Sequence, residues 1–228
     1  MTDLHINDPL AMRDLSAFTS LAHRADSDGA MRLQVASDVL AATVAPLFPH
    51  GLGDSTPLVL AMRMLRLDDY DLDGFDEAVP LSNLLDRFAR VENGTTLPVP
   101  PNSVLVSWTG IAPPRGGWAE YDTITVGRLH ETAEAGIEEI STGAPEGSGG
   151  HAVKALRSRV WTREMTGEQG TGMPGGLAFA ATALRFVPPA GRDDDKQLRI
   201  MESGGCCASS PPAVTCSRVV VVGDQRGR

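Results

Sequence analysis

The hydrophobic period changes partway along this chain, and that change constrains the fold more than any single motif does. In the first half the period is two. Met31, Leu33 and Val35 alternate with Arg32 and Gln34, Ala36-Ser37-Asp38 offers a turn, and Val39 to Val44 is apolar, a pattern that predicts a β-hairpin ended by Pro46 and Pro49. Leu58 to Leu67 has Arg63 and Arg66 as its only charges and reads as a further strand. Val104 to Ile111 reads as another, with Val104, Val106 and Trp108 on one face. From Thr125 onward the period is helical: Val126, Leu129, Ala133, Ile137 and Ile140 form one stripe. Val153, Leu156, Val160 and Trp161 form a second, and Leu177, Ala180, Ala181 and Leu184 a third. The polar, glycine-rich stretches 142–150 and 164–176 read as loops between them.

Two helices are expected in the first half, over residues 10–23 on Leu15, Phe18 and Leu21/Ala22, and over 81–91 on Leu81, Leu84, Leu85 and Phe88. A parallel sheet needs a crossover helix after most strands, and strands gathered at the front do not supply one. The expected class is therefore α+β: an antiparallel sheet from the N-terminal half covered by three C-terminal helices, with the first helix at its margin.

The regular periods stop at Pro188-Pro189. Beyond lie Asp193-Asp194-Asp195, Gly204-Gly205-Cys206-Cys207 and Ser209-Ser210-Pro211-Pro212, so residues 188–228 are expected to be a disordered or non-native tail, and residues 1–187 a single domain. A shifted reading frame in a GC-rich gene would give such a tail, and eighteen of the twenty basic residues are arginine. The chain carries −9; the tail, with six basic and five acidic residues, carries +1, which leaves −10 on residues 1–187. That charge gives no general attraction to phosphate backbones, so no nucleic-acid partner is expected. A DNA-binding reading would need a local basic face such as Arg157, Arg159 and Arg163. MTDLHINDPL lacks a signal-peptide layout and no apolar run is long enough for a span, which predicts a cytoplasmic protein with no membrane partner.

Most motifs are incomplete. Asp69-Tyr70-Asp71-Leu72-Asp73-Gly74 opens like a calcium loop, but Pro80 stands where the bidentate carboxylate belongs, so an acidic hairpin loop is expected. Gly170-Thr171-Gly172-Met173-Pro174-Gly175 fits G-x-G-x-x-G without a preceding buried strand and reads as a linker capped by Pro174 and Gly175. His5, His23, His50, His130 and His151 are scattered, Gly147-Ser148-Gly149 lacks the nucleophile-elbow pattern, and residues 1–187 hold no cysteine. No metal and no cofactor is expected.

Trp108-Thr109-Gly110-Ile111-Ala112-Pro113-Pro114-Arg115-Gly116-Gly117-Trp118 is different, because two tryptophans bracket a rigid Pro-Pro-Arg-Gly-Gly turn. Arg115 and the N–H groups of Gly116 and Gly117, flanked by Trp108 and Trp118, could grip an anion or a planar group. The expected function is a noncatalytic module binding a protein partner or a small anionic ligand through this loop. The competing expectation is a transferase or hydrolase acting on an anionic metabolite, with Arg115 binding and Glu120 or His130 as acid or base. The blocks WTGIAPPRGGW and MPGGLAFAATALRFV together resemble uncharacterised conserved proteins of high-GC actinobacteria over residues 15–187. That resemblance implies no activity and transfers no catalytic residue.

Overall fold

The structure is a computed structural model that describes residues 2–68, 71–91, 94–111, 113, 116–144, 149–170 and 172–203. The chain folds as two compact units. The first comprises residues 1–46 and 60–111, the second 47–59 and 112–228. Both are α+β.

The first unit runs β1 (Asp3–His5), α1 (Pro9–Ala25), β2 (Ala30–Ala36), β3 (Val39–Leu47), β4 (Val59–Arg66), β5 (Asp76–Pro80), α2 (Leu81–Phe88) and β6 (Thr96–Pro98). Its sheet has the order β4-β3-β2-β5, with β2 antiparallel to both β3 and β5, while β1 pairs antiparallel with β6. Alternation along β2 puts Met31, Leu33 and Val35 inside, where Met31 and Leu33 are fully buried. Each such aliphatic burial stabilises by about 1.5–3 kcal/mol. Helix α1 starts on Asp8, whose carboxylate accepts from Leu10 N–H, and follows it with Pro9 at the first helical position. It buries Leu15 and Phe18.

Arg32 grips Asp76 across the β2–β5 pair with two hydrogen bonds of 2.7 and 2.6 Å. That hydrogen bond, with the guanidinium charge, holds the Asp76 carboxyl below its ordinary range. The acidic loop clasps the β2–β3 turn: Ser37 N–H donates to Asp73 Oδ1 at 2.7 Å, and Gly74, at φ +83°, donates to Val35 O at 3.1 Å. Asp69 and Tyr70 lie outside the described residues.

The expected strand 104–111 does not form. Val104 N–H donates to Ala78 O, after which Ser107–Gly110 makes a 3-10 turn closed by Ile111 N–H onto Trp108 O at 3.1 Å. Trp108 is buried there, from a turn instead of a strand.

The second unit contains β7 (Trp118–Thr125), α3 (Val126–Gly143), α4 (Gly150–Thr162), β8 (Glu164–Thr166), β9 (Gly172–Pro174), α5 (Gly176–Ala183) and β10 (Gln197–Ser203). The three expected C-terminal helices are present. Residues 188–203, however, are not tail. β10 pairs antiparallel with β7 from Gln197 opposite Thr125 to Ser203 opposite Trp118, and Leu198 and Ile200 join Ile124, Val126, Leu129 and Val187 in one core cluster. The connection is also fixed, since Val126 and Gly127 at the start of α3 donate to Lys196 O and Asp194 O.

The expected loop 164–176 contains the β8–β9 hairpin, which commits Gly172 to Pro174 to a ladder instead of a phosphate cradle. Thr171 and the cysteines at 206, 207 and 216 lie outside the described residues. Helices α3 and α4 approach closely because position 136 is glycine: a Cβ there would collide with the ring of Trp161. Trp161 is fully buried, stacks on Phe179 with centroids 4.9 Å apart, and packs with Leu47 and Val59, the residues that end β3 and begin β4 and bound the segment 47–59.

Candidate functional site

That segment, residues 47–59, supplies one wall of a groove whose other wall is α4. The loop is shaped by its own sequence. Gly53 takes φ +84°, a left-handed conformation that favours glycine, and Asp54 forms an Asx turn by accepting from Thr56 N–H at 2.9 Å. Asp54 Oδ1 also accepts from the Thr56 hydroxyl at 2.6 Å and the Ser158 hydroxyl at 3.1 Å, and Oδ2 accepts from His50 N–H at 2.9 Å. Burial pushes this carboxyl up, but the bonds from His50, Thr56 and Ser158 outweigh it and bring it down to about 2. Asp54 is thus an anion fixed by four hydrogen bonds, three on Oδ1 and one on Oδ2, and it offers no proton transfer near neutrality.

Two further contacts fasten the loop to the helix: Ser55 Oγ lies 3.1 Å from Ser158 Oγ, and the Thr162 hydroxyl donates to Ser55 O at 2.7 Å. The groove between them has a volume of about 910 Å³ and is lined by His50 to Ser55 on the loop and by His151, Lys154, Ala155, Ser158, Arg159, Thr162 and Arg163 on the helix side. At about 100° per residue, His151, Ala155, Ser158 and Thr162 form one stripe, with Lys154 and Arg159 on opposite sides of it. The helix sequence GHAVKALRSRVWT has no carboxylate at all. Arg163 is committed to Glu139 through two hydrogen bonds of 2.8 and 2.7 Å, which with the pair's charges raise the Arg163 pKa and lower that of Glu139. Among the described residues Lys154 and Arg159 form no ion pair, although Arg159 is near enough to Glu139 to lower its pKa. A basic groove on an acidic chain suits a small anion.

A second cavity, of about 610 Å³, lies around the start of α3 and contains Glu131, Glu134, Glu168, Asp194 and Asp195 against Arg128 and His130. Its charge does not favour an anion. His130 Nε2 donates to Pro188 O at 2.8 Å, so this nitrogen is held by backbone. Glu120 is on β7, 3.9 Å from Arg199, and does not line that cavity. Among the described residues no group of three or more His, Cys, Asp or Glu is placed to hold a metal ion, and no helix is long and apolar enough to cross a membrane.

The residues expected to bind ligand fall at the border of the two units. Trp108 belongs to the first unit and is buried in it; Trp118 starts β7 in the second. Gly116 O accepts from the Ser203 hydroxyl at 3.0 Å, Gly117 takes φ +76°, and Arg115 lies outside the described residues. Sequence reading missed Lys154 and the loop at 50–55. A usable signal existed in the absence of any acidic residue from α4.

No curated protein and no solved structure matches the chain. Two family models do match, side by side, and the gap between them coincides with the border of the folded units: residues 1–110 are similar to a domain of unknown function (DUF8010), and residues 113–206, β10 included, to a second domain of unknown function (DUF8185).

Proposed function

We propose that this protein is a noncatalytic module that binds a small anionic ligand, and that the groove between residues 50–55 and α4 holds it. The observation that carries this reading is the pair Lys154 and Arg159, which flank one groove without ion pairs of their own among the described residues. Guanidinium and ammonium groups placed this way attract phosphate or carboxylate from both sides. The 108–118 loop, first choice on sequence grounds, loses one of its two rings to the core of the first unit, since Trp108 is only 4% exposed. Against catalysis stand the ionised Asp54, held at about 2, the backbone-bound His130 and the Arg199-facing Glu120. Against nucleic acid stands the pairing of Arg163 with Glu139, which interrupts the basic face.

The test is a thermal-shift titration with pyrophosphate at low ionic strength, where surface charge is least screened. Wild type is expected to gain about 2.7 kcal/mol at a hundredfold excess over Kd. Lys154→Ala is expected to weaken binding about tenfold, corresponding to about 1.4 kcal/mol. Equal shifts in wild type and a Lys154→Ala/Arg159→Ala variant would place the anion elsewhere.

A further inference from the structure

The groove's hydrogen-bond inventory is one-sided. The Ser158 hydroxyl donates its proton to Asp54 Oδ1 at 3.1 Å. In the 3.1 Å contact with Ser55, Ser158 Oγ must therefore accept, and the Ser55 proton points at it. The Thr162 proton is shared between Ser55 O and Ser158 O, both at 2.7 Å. Three hydroxyls thus turn their protons inward and leave lone pairs for an occupant, beside the ionised Asp54. Ser55 and Thr162 are exposed. A bare anion gains nothing from these hydroxyls; its charge is served by Lys154 and Arg159 on the flanks.

Resting on the anion-binding reading above, we infer that the ligand is a phosphate ester of a polyhydroxylated compound, its phosphate held by Lys154 and Arg159 and its hydroxyls donating to Ser55 and Thr162. A volume of about 910 Å³ admits a molecule of sugar-phosphate or nucleotide size. Carboxylates and alkyl phosphates satisfy the cations and leave the hydroxyls' lone pairs covered without partners, which costs affinity.

Calorimetric titration of the full chain with inorganic phosphate, ribose 5-phosphate, n-pentyl phosphate and adenosine monophosphate separates these ideas. Ribose 5-phosphate is expected to bind on the order of tenfold more tightly than n-pentyl phosphate. Ser55→Ala should shrink that margin to about threefold or less without weakening n-pentyl phosphate, whereas Lys154→Ala should weaken both esters together. Thr162→Val repeats the test should Ser55→Ala disturb the loop. A further gain with adenosine monophosphate identifies a nucleoside source, and no gain a sugar source. Equal affinity for ribose 5-phosphate and n-pentyl phosphate overturns this inference and leaves the anion site standing. No binding of any of the four compounds removes both.

Discussion

The first unit has a sheet whose aliphatic side chains are buried at alternate strand positions, Leu33 and Leu40 among them, whereas the second unit has Trp161 at one of its centres, admitted only because position 136 is glycine. The first arrangement tolerates local adjustment, since each strand position meets several neighbours. The second depends on the close approach of α3 to α4 at Gly136. Both cavities described above also lie in the second unit, whose surface is built from loops and helix faces instead of a continuous sheet.

The sharpest way to break this contrast is to remove residues 188–228. The deletion takes away β10, with buried Leu198 and Ile200, and strips the ladder from β7. The two side chains alone account for about 3–6 kcal/mol, comparable to the stability of a small domain. Hydrogen exchange is expected to show α3 and β7 losing protection while β2 and β3 keep theirs. Retained protection in β7 would mean that β10 is dispensable and that the fold does end near Val187.

Gly136→Ala is the next test. Alanine is the better helix former by about 1 kcal/mol, yet its methyl would meet the Trp161 ring, and overpacking costs about 1–3 kcal/mol or more. A net loss of about 1–2 kcal/mol is expected, read as a fall in Tm of the second unit's transition. A rise in Tm would show that the α3–α4 approach adjusts as freely as the first unit's sheet.

The same contrast explains what could be read from the sequence. The β2–β3 hairpin was legible because its partners are adjacent and its alternation is long. β7 was not: of its eight residues only Asp122 and Ile124 are buried, and the buried aspartate, which accepts from Thr123 N–H and Gln169 N–H, breaks the apolar pattern. β10 carries alternation over Leu198, Arg199 and Ile200 only, too short to distinguish from chance, and its partner lies more than seventy residues earlier. Helix α4 was found through Val153, Leu156, Val160 and Trp161, its apolar stripe. The opposite face gained meaning only beside residues 50–55, about a hundred positions upstream, where Gly51, Gly53 and Asp54 form no recognised motif. Spacing places Arg159 on a basic face with Arg163, but it carries no sign that Arg163 is neutralised by Glu139.

The smallest effect concerns Asp54, which belongs to the loop that the second unit takes from the first half of the chain. Its carboxyl falls from 3.8 to about 2 on folding, so its ionised form is favoured by the fold. The stability it contributes is fully present above the unfolded value, and it is lost as pH falls from about 4 through about 2. A shift of this size corresponds to about 2.4 kcal/mol at most, less what solvent screening removes. Asp54→Asn is expected to cost about 1–2 kcal/mol at pH 7 and to converge with wild type near pH 2, measured by denaturant unfolding across that range. Asparagine keeps an acceptor for Thr56 N–H but loses the charge. A constant gap between the two proteins from pH 7 to pH 2 would show that the loop is held by shape alone, as the strands of the first unit are, and not by the ionised carboxylate.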